Sequence, residues 1–202
     1  MSFERILVCL DGSDFSERVL PTTIAIARAF GSKVTLLHVV EPPFASYHQP
    51  VDALAVELNR AESQRYLDRI LAALEPDGLK VDSRILHGAA ADQVRWHAQQ
   101  QGSDLVSVST HGEKNTAWDL SSTAQKLVSD PPSSLLIVPS RTPAENKRLR
   151  RIMVPLDASR RAESAVPAAM RLARHNEAEL LLVHLVATPE ISTSGPLTPS
   201  DQ

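Results

Sequence analysis

Three short stretches of this chain bring together residue types that handle anions. Asp11-Gly-Ser13 and Thr110-His-Gly112 each follow an apolar run, and Ser122-Thr123 opens a helical pattern. A carboxylate followed by glycine and serine builds a tight turn. Hydroxyls at a helix start lie beside unpaired amides, a ready setting for a phosphate. The stretch from Thr110 to Ser121 is long enough to fold over a phosphate chain. The same residues have plainer uses. Asp11 can serve only to organise its turn, Ser122 and Thr123 to cap a helix, His111 to sit solvated in a loop, and His38 and His184 to hold strand ends.

Catalytic constellations are missing from the sequence. There is no Gly-x-x-x-x-Gly-Lys-Ser/Thr phosphate loop and no Gly-x-Gly-x-x-Gly dinucleotide turn. No Cys/His set has zinc spacing, and no Gly-x-Ser-x-Gly elbow presents a nucleophile. A receiver domain would need a phospho-accepting Asp after the third strand, where this chain has Leu86-His-Gly88. Nucleotidyl transfer would want a His-x-Gly-His type loop, which Asp11-Gly-Ser13 is not.

The elements that must position these loops alternate. Arg5–Leu10 reads as a strand, and Asp14-Phe-Ser-Glu17 as a capping box opening one amphipathic helix to about Phe30. Strand patterns follow at 33–40, 79–86, 104–109 and 134–138, with helix patterns at about 51–74, 90–101 and 122–129. Such alternation predicts parallel βαβ units. Apolar runs such as Leu135-Leu-Ile-Val138 suit strands covered on both faces. The expected fold class is therefore α/β, an open doubly wound sheet with ligands beyond the carboxyl ends of its strands.

Composition narrows the setting. The net charge of -3, with both signs mixed, supplies no bulk attraction to nucleic acid or to an acidic membrane. The single cysteine, Cys9, rules out an internal disulfide, the start lacks signal-peptide regions, and no apolar run reaches membrane-spanning length. A cytoplasmic location is the expectation, without nucleic-acid or membrane partners.

The opening of the chain recurs. Arg5-Ile-Leu-Val-Cys-Leu-Asp11-Gly-Ser13 returns as Arg151-Ile-Met-Val-Pro-Leu-Asp157-Ala-Ser159, and Glu17, Pro21, Arg28 and His38 fall on Glu163, Pro167, Arg174 and His184. A match of loops and strand ends together with apolar positions indicates duplication. The expected organisation is a complete domain over 1–140, a linker over 141–148, a partial strand-helix-strand repeat over 149–187 and a polar, disordered tail over 188–202. A half repeat leaves apolar surface bare. Three readings of it stay open: a fragment of a longer tandem protein, a natural truncation, or a βαβ unit packed on the first domain or on another subunit.

The order of elements, the Val8-Cys-Leu-Asp11-Gly-Ser start, the Leu37-His-Val39-Val strand end, the stretch from Gly102 to Gly112 and the Leu136-Ile-Val-Pro139 close resemble the universal stress protein family. The resemblance covers 3–140 and restarts over 149 to about 187, as in tandem members. It implies a five-stranded parallel sheet in the order 3-2-1-4-5 with helices on both faces. It also implies a nucleotide pocket in which Asp11 and Val39 border adenine and ribose, and Val108, Gly112, Ser122, Thr123 and Ala124 line the ribose and phosphate path. The ATP-binding signature Gly-x2-Gly-x9-Gly-Ser/Thr falls on Ser109, Gly112, Ser122 and Thr123, so two glycines are serines here. A side chain at a left-handed position costs roughly 1 to 2 kcal/mol and fills phosphate space. The expected function is thus a non-catalytic stress-response binding and interaction module with a degenerate pocket, no firmly held cofactor, and pairing through Ser134–Val138, as a homodimer or between repeats. The alternative is an ATP- or ADP-binding switch, with magnesium and at most slow hydrolysis.

The basic run Lys147-Arg-Leu-Arg-Arg151 reads as a solvated linker, because no aromatic stacking residues accompany it. Trp96 is expected to pack its helix on the sheet, and Trp118 to lie in the loop near the phosphate path.

Overall fold

The computed structural model describes residues 2–41, 53–75, 78–110, 120–139, 148–184 and 186. Its first part runs β1 (Arg5–Leu10), α1 (Asp14–Glu17), α2 (Val19–Phe30), β2 (Lys33–Val40), α3 (Ala53–Leu74), β3 (Lys80–His87), α4 (Ala90–Gln101), β4 (Leu105–Ser109), α5 (Ser122–Ser129) and β5 (Ser134–Val138). All five strands are parallel in the order β3-β2-β1-β4-β5. The second part, β6 (Arg151–Leu156), α6 (Arg160–Glu163), α7 (Val166–Asn176) and β7 (Glu179–His184), forms a separate two-stranded parallel sheet.

Alternation along β1 splits the core in two. Ile6, Val8 and Leu10 face α2 and α3 with Phe30, Leu67 and Ile70, while Leu7 faces α4 and α5 with Val94, Val106 and Leu127. Trp96 does not join either layer. It is 54% exposed, because the buried stripe of α4 runs through Ala91, Val94 and Ala98, and residue 96 lies off that face.

The single helix expected over 14–30 is broken at Arg18. Pro21 lacks an N–H, and its ring clashes with the carbonyl four residues back, that of Glu17, where α1 ends. The second part repeats the break. Pro167 stands four residues after Glu163, the last residue of α6.

The two parts meet helix to helix. Ala168 and Leu172 of α7 pack into the core layer beneath α2, and Arg171 Nε donates to the Ala29 carbonyl at 2.8 Å with its guanidinium 4.7 Å over the Phe30 ring. This corrects one alternative for the repeats. They do not pair through Ser134–Val138: β5 lies at the sheet edge bonded to β4, and β6 bonds to β7. No helix among the described residues is long and apolar enough to cross a membrane.

Candidate functional site

At the carboxyl end of β1 the chain turns through Gly12 at φ 89°. Asp11 Oδ1 accepts from the Ser13 amide at 2.9 Å and from the Ser13 hydroxyl at 2.6 Å. Ser13 Oγ in turn accepts the Ser16 amide at 3.2 Å and so caps α1. Ser16 Oγ donates back to the Ser13 carbonyl at 2.8 Å. One β-strand over, His38 Nδ1 lies 2.9 Å from the Leu10 carbonyl. A carbonyl only accepts, so Nδ1 is the donor in this contact.

A cavity of about 490 Å³ opens beside this turn. Asp11, Gly12 and His38 form one side, and Val39, Val40 and Glu41 continue it along the end of β2. The opposite wall comes from α3, through Asn59, Glu62, Ser63 and Tyr66. These four sit at helical spacings of three and four, which places them on one face. Sequence reasoning gave 51–74 only as a helix pattern and named none of these four. The available signal was the run of polar types Asn59, Glu62 and Ser63 with Tyr66 at helical spacing.

Tyr66 stands with its ring 5.8 Å from that of His38. Its hydroxyl is buried and makes no hydrogen bond of normal geometry. Burial, with Glu17 and Asp11 adding negative charge nearby, pushes the phenol up to about 12, so Tyr66 stays protonated. Arg69 lies 5.4 Å from the same ring and is held by Glu17 at 2.6 Å.

The second loop region assembles at the end of β4. The Ser121 amide donates to the Thr110 carbonyl at 2.6 Å, which brings the start of α5 against the β4 terminus. Ser121 caps α5 by accepting the Ala124 amide at 3.1 Å. Ser122 is exposed and Thr123 half-buried. Ala124 and Val108 lie in the core layer under α4 and α5, and Ser109 is buried. Of the residues expected to border a nucleotide, the cavity therefore gathers Asp11 and Val39, while Val108, Ser109, Ser122, Thr123 and Ala124 belong to the neighbouring β4–α5 corner. Gly112, His111 and Trp118 fall outside the described residues.

The half repeat keeps the turn, and among its described residues β7 is the last element, with no counterpart of α3. Asp157 Oδ1 accepts the Ser159 amide at 2.9 Å, Ser159 caps α6 through the Ala162 amide, and His184 Nδ1 meets the Leu156 carbonyl at 2.8 Å. Hydrogen bonds from the Ser159 hydroxyl and amide hold the Asp157 carboxyl below the usual carboxylate range. His38 and His184 thus hold equivalent strand ends. Among the described residues no group of three His, Cys, Asp or Glu side chains could hold a metal ion. Burial pushes the Cys9 thiol up to about 12, which leaves it protonated and a poor nucleophile.

The sequence model of the universal stress protein family matches residues 2–139 and again 148–202. The chain belongs to the universal stress protein family. A universal stress protein from Thermus aquaticus is 30% identical over 139 residues, spanning 67% of this chain and 98% of that one. A crystal structure of a universal stress protein from Archaeoglobus fulgidus superposes on 95% of this chain and 70% of its own, with a TM-score of 0.72 at 16% identity, so the two share the fold across both sheets. Two further structures of the family match about two thirds of this chain, each with a TM-score of 0.51. One is a universal stress protein in complex with cAMP, 23% identical and 99% covered, and the other is an Archaeoglobus fulgidus protein in complex with dAMP, 16% identical and 98% covered.

Proposed function

We propose that this universal stress protein is a non-catalytic binding and interaction module whose first unit takes an adenine nucleotide weakly, with the base and sugar in the cavity beside Asp11. The observation that carries this reading is the cavity itself, since Asp11 and Val39 line it from the strand ends and a polar face of α3 closes it. Its size suits a nucleoside, and its place at the carboxyl ends of β1 and β2, next to the strand-order switch between β1 and β4, is where doubly wound sheets take ligands. The complexes of relatives with cAMP and dAMP support the ligand class. Ser109 and Ser122, in place of signature glycines, weaken the hold on a phosphate chain without touching the cavity. The edge strand β5 is the surface through which a second copy would pair.

A thermal-shift titration with adenosine and its phosphates tests the reading. A ligand at 100 times its dissociation constant stabilises the fold by about 2.7 kcal/mol, enough to raise the midpoint by several degrees. The shift is expected to disappear in Asn59→Trp, which fills the rim from an exposed position. The reading fails if no adenine compound shifts the midpoint at millimolar concentration. The ATP-switch alternative predicts instead a shift greatest with ATP and magnesium.

A further inference from the structure

A second cavity, of about 390 Å³, opens between α3 and β3, the outermost strand on its side of the sheet, and is lined by Arg60, Gln64, Ser83, Arg84, Ile85 and His87. Arg60 and Gln64 stand one helical turn apart, so they share a face of α3. Ser83, Ile85 and His87 alternate along β3 onto the side where Ile85 joins the core layer of α2 and α3. Alternation sends Arg84 to the other side of the strand. Its Nη1 donates to the Ser83 carbonyl at 2.7 Å, however, which turns the guanidinium along the strand edge and into the lining. Asp82 Oδ2 lies 3.9 Å from Arg84 Nη2 but is held more closely by Lys33 Nζ, at 2.8 Å. Gln64 Nε2 donates to Asp68 Oδ1 at 2.8 Å, one turn further along α3.

We propose that this groove binds a phosphate group, free or as the phosphomonoester of a small molecule, at a site separate from the cavity beside Asp11. Guanidinium groups reach it from two elements, Arg60 from α3 and Arg84 from β3, and each carries a fork of N–H donors that matches paired oxyanion oxygens. The Ser83 hydroxyl and the His87 ring add donors from the strand. Donors on both walls suit a tetrahedral anion, whose oxygens point in several directions, better than a planar carboxylate. The helix α3 divides the two sites, since Asn59, Glu62, Ser63 and Tyr66 line the cavity beside Asp11 while Arg60 and Gln64 line the groove. An acidic peptide added as a further strand is disfavoured by the edge itself, because the charged residues Lys80, Asp82 and Arg84 alternate along β3, the pattern that keeps edge strands from pairing.

A nuclear magnetic resonance titration of the full chain with inorganic phosphate and with glycerol phosphate, at constant ionic strength and with sodium chloride as control, tests the proposal. Saturable shifts are expected at the amides from Ser83 to His87 and at the Nε–H groups of Arg60 and Arg84, and chloride should not reproduce them. Tighter binding of glycerol phosphate would make the phosphoester the ligand, and tighter binding of inorganic phosphate the free anion. Arg60→Gln and Arg84→Gln, both exposed changes, should each weaken binding by about tenfold, whereas Asn59→Trp, in the other cavity, should leave it unchanged. Shifts that fail to saturate, that chloride reproduces or that survive both glutamine variants overturn the proposal and leave the two arginines as solvated edge charges. Saturable binding of a glutamate-rich peptide along Lys80–His87 without any response to phosphate overturns it in favour of strand pairing.

Discussion

Leu7 and Met153 occupy the same place in two copies of one motif, since 146 residues separate each pair as they separate Asp11 from Asp157. Leu7 is 0% exposed and Met153 is 62% exposed. Leu36 and Leu182 repeat the contrast, at 0% and 51%. The local structure is the same in both copies: strand, Asx turn, serine cap, proline break and helix, strand, histidine lock. What differs is cover. Leu7 lies under α4 and α5 and Leu36 against the core beneath α3, whereas among the described residues the helices that pack on β6 and β7 are α6 and α7. Local sequence is enough to shape a βαβ unit, but burial comes from elements distant in the chain.

The sharpest break of this comparison is a paired truncation. Leu7→Ala should cost about 3 kcal/mol, the usual penalty for emptying a packed aliphatic site, while Met153→Ala should change stability by about 0.5 kcal/mol or less. Denaturant melts of the two variants measure the difference. Equal costs would mean that the β6–β7 face is covered in solution.

A second, smaller contrast lies in the backbone. Gly12 and Gly31 hold left-handed conformations at φ 89° and 66°, and their counterparts Ala158 and Glu177 hold φ 64° and 55° without being glycine. The copy has kept the geometry and bears its strain. Glu177→Gly is expected to stabilise the second unit by about 1 kcal/mol and Gly31→Ala to destabilise the first by a similar amount. A Cβ at Gly31 would meet nothing within 4 Å, so the cost there is conformational alone. Hydrogen exchange, which resolves the two units, would read both changes.

The smallest effect concerns protonation, and it belongs to the first unit alone. Burial, aided by the Arg84 guanidinium and opposed by Asp82, holds the His97 imidazole below its ordinary value. A folded-state value below the unfolded one means that this contribution to stability is present above about pH 6.5 and is lost as the pH falls. The midpoint of the first unit should therefore drop on acidification, and His97→Gln should flatten the drop. An unchanged slope in that variant would assign the acid sensitivity to another group.

Much of the fold was legible before any coordinates. β1, β2, α4, α5 and β5 have the bounds that the hydrophobic pattern predicts, because that signal is local, but the cap of α5 is Ser121 and not the expected Ser122 or Thr123, which lie inside the helix. The break at Arg18 was missed although its cause, Pro21 four residues beyond Glu17, was in plain sight. Trp96 was misplaced by size, since a large aromatic invites burial and only the phase of α4 shows it facing outward. The site was half legible. Asp11 and Val39 follow from the rule that loops at strand ends hold ligands, but Asn59, Glu62, Ser63 and Tyr66 needed the packing of α3 over the β1–β2 ends.

By itself, then, the sequence determined the βαβ order, the duplicated turn with its Asp, Ser and His, and the family, because each rests on residues close together or on exact recurrence. Tertiary structure alone decided that α7 docks on α2 through Arg171, that α3 walls the turn of the first unit, and that three carboxylates from three elements face one space. Those are relations between side chains far apart in the chain. They depend on how whole elements pack, which no local pattern encodes.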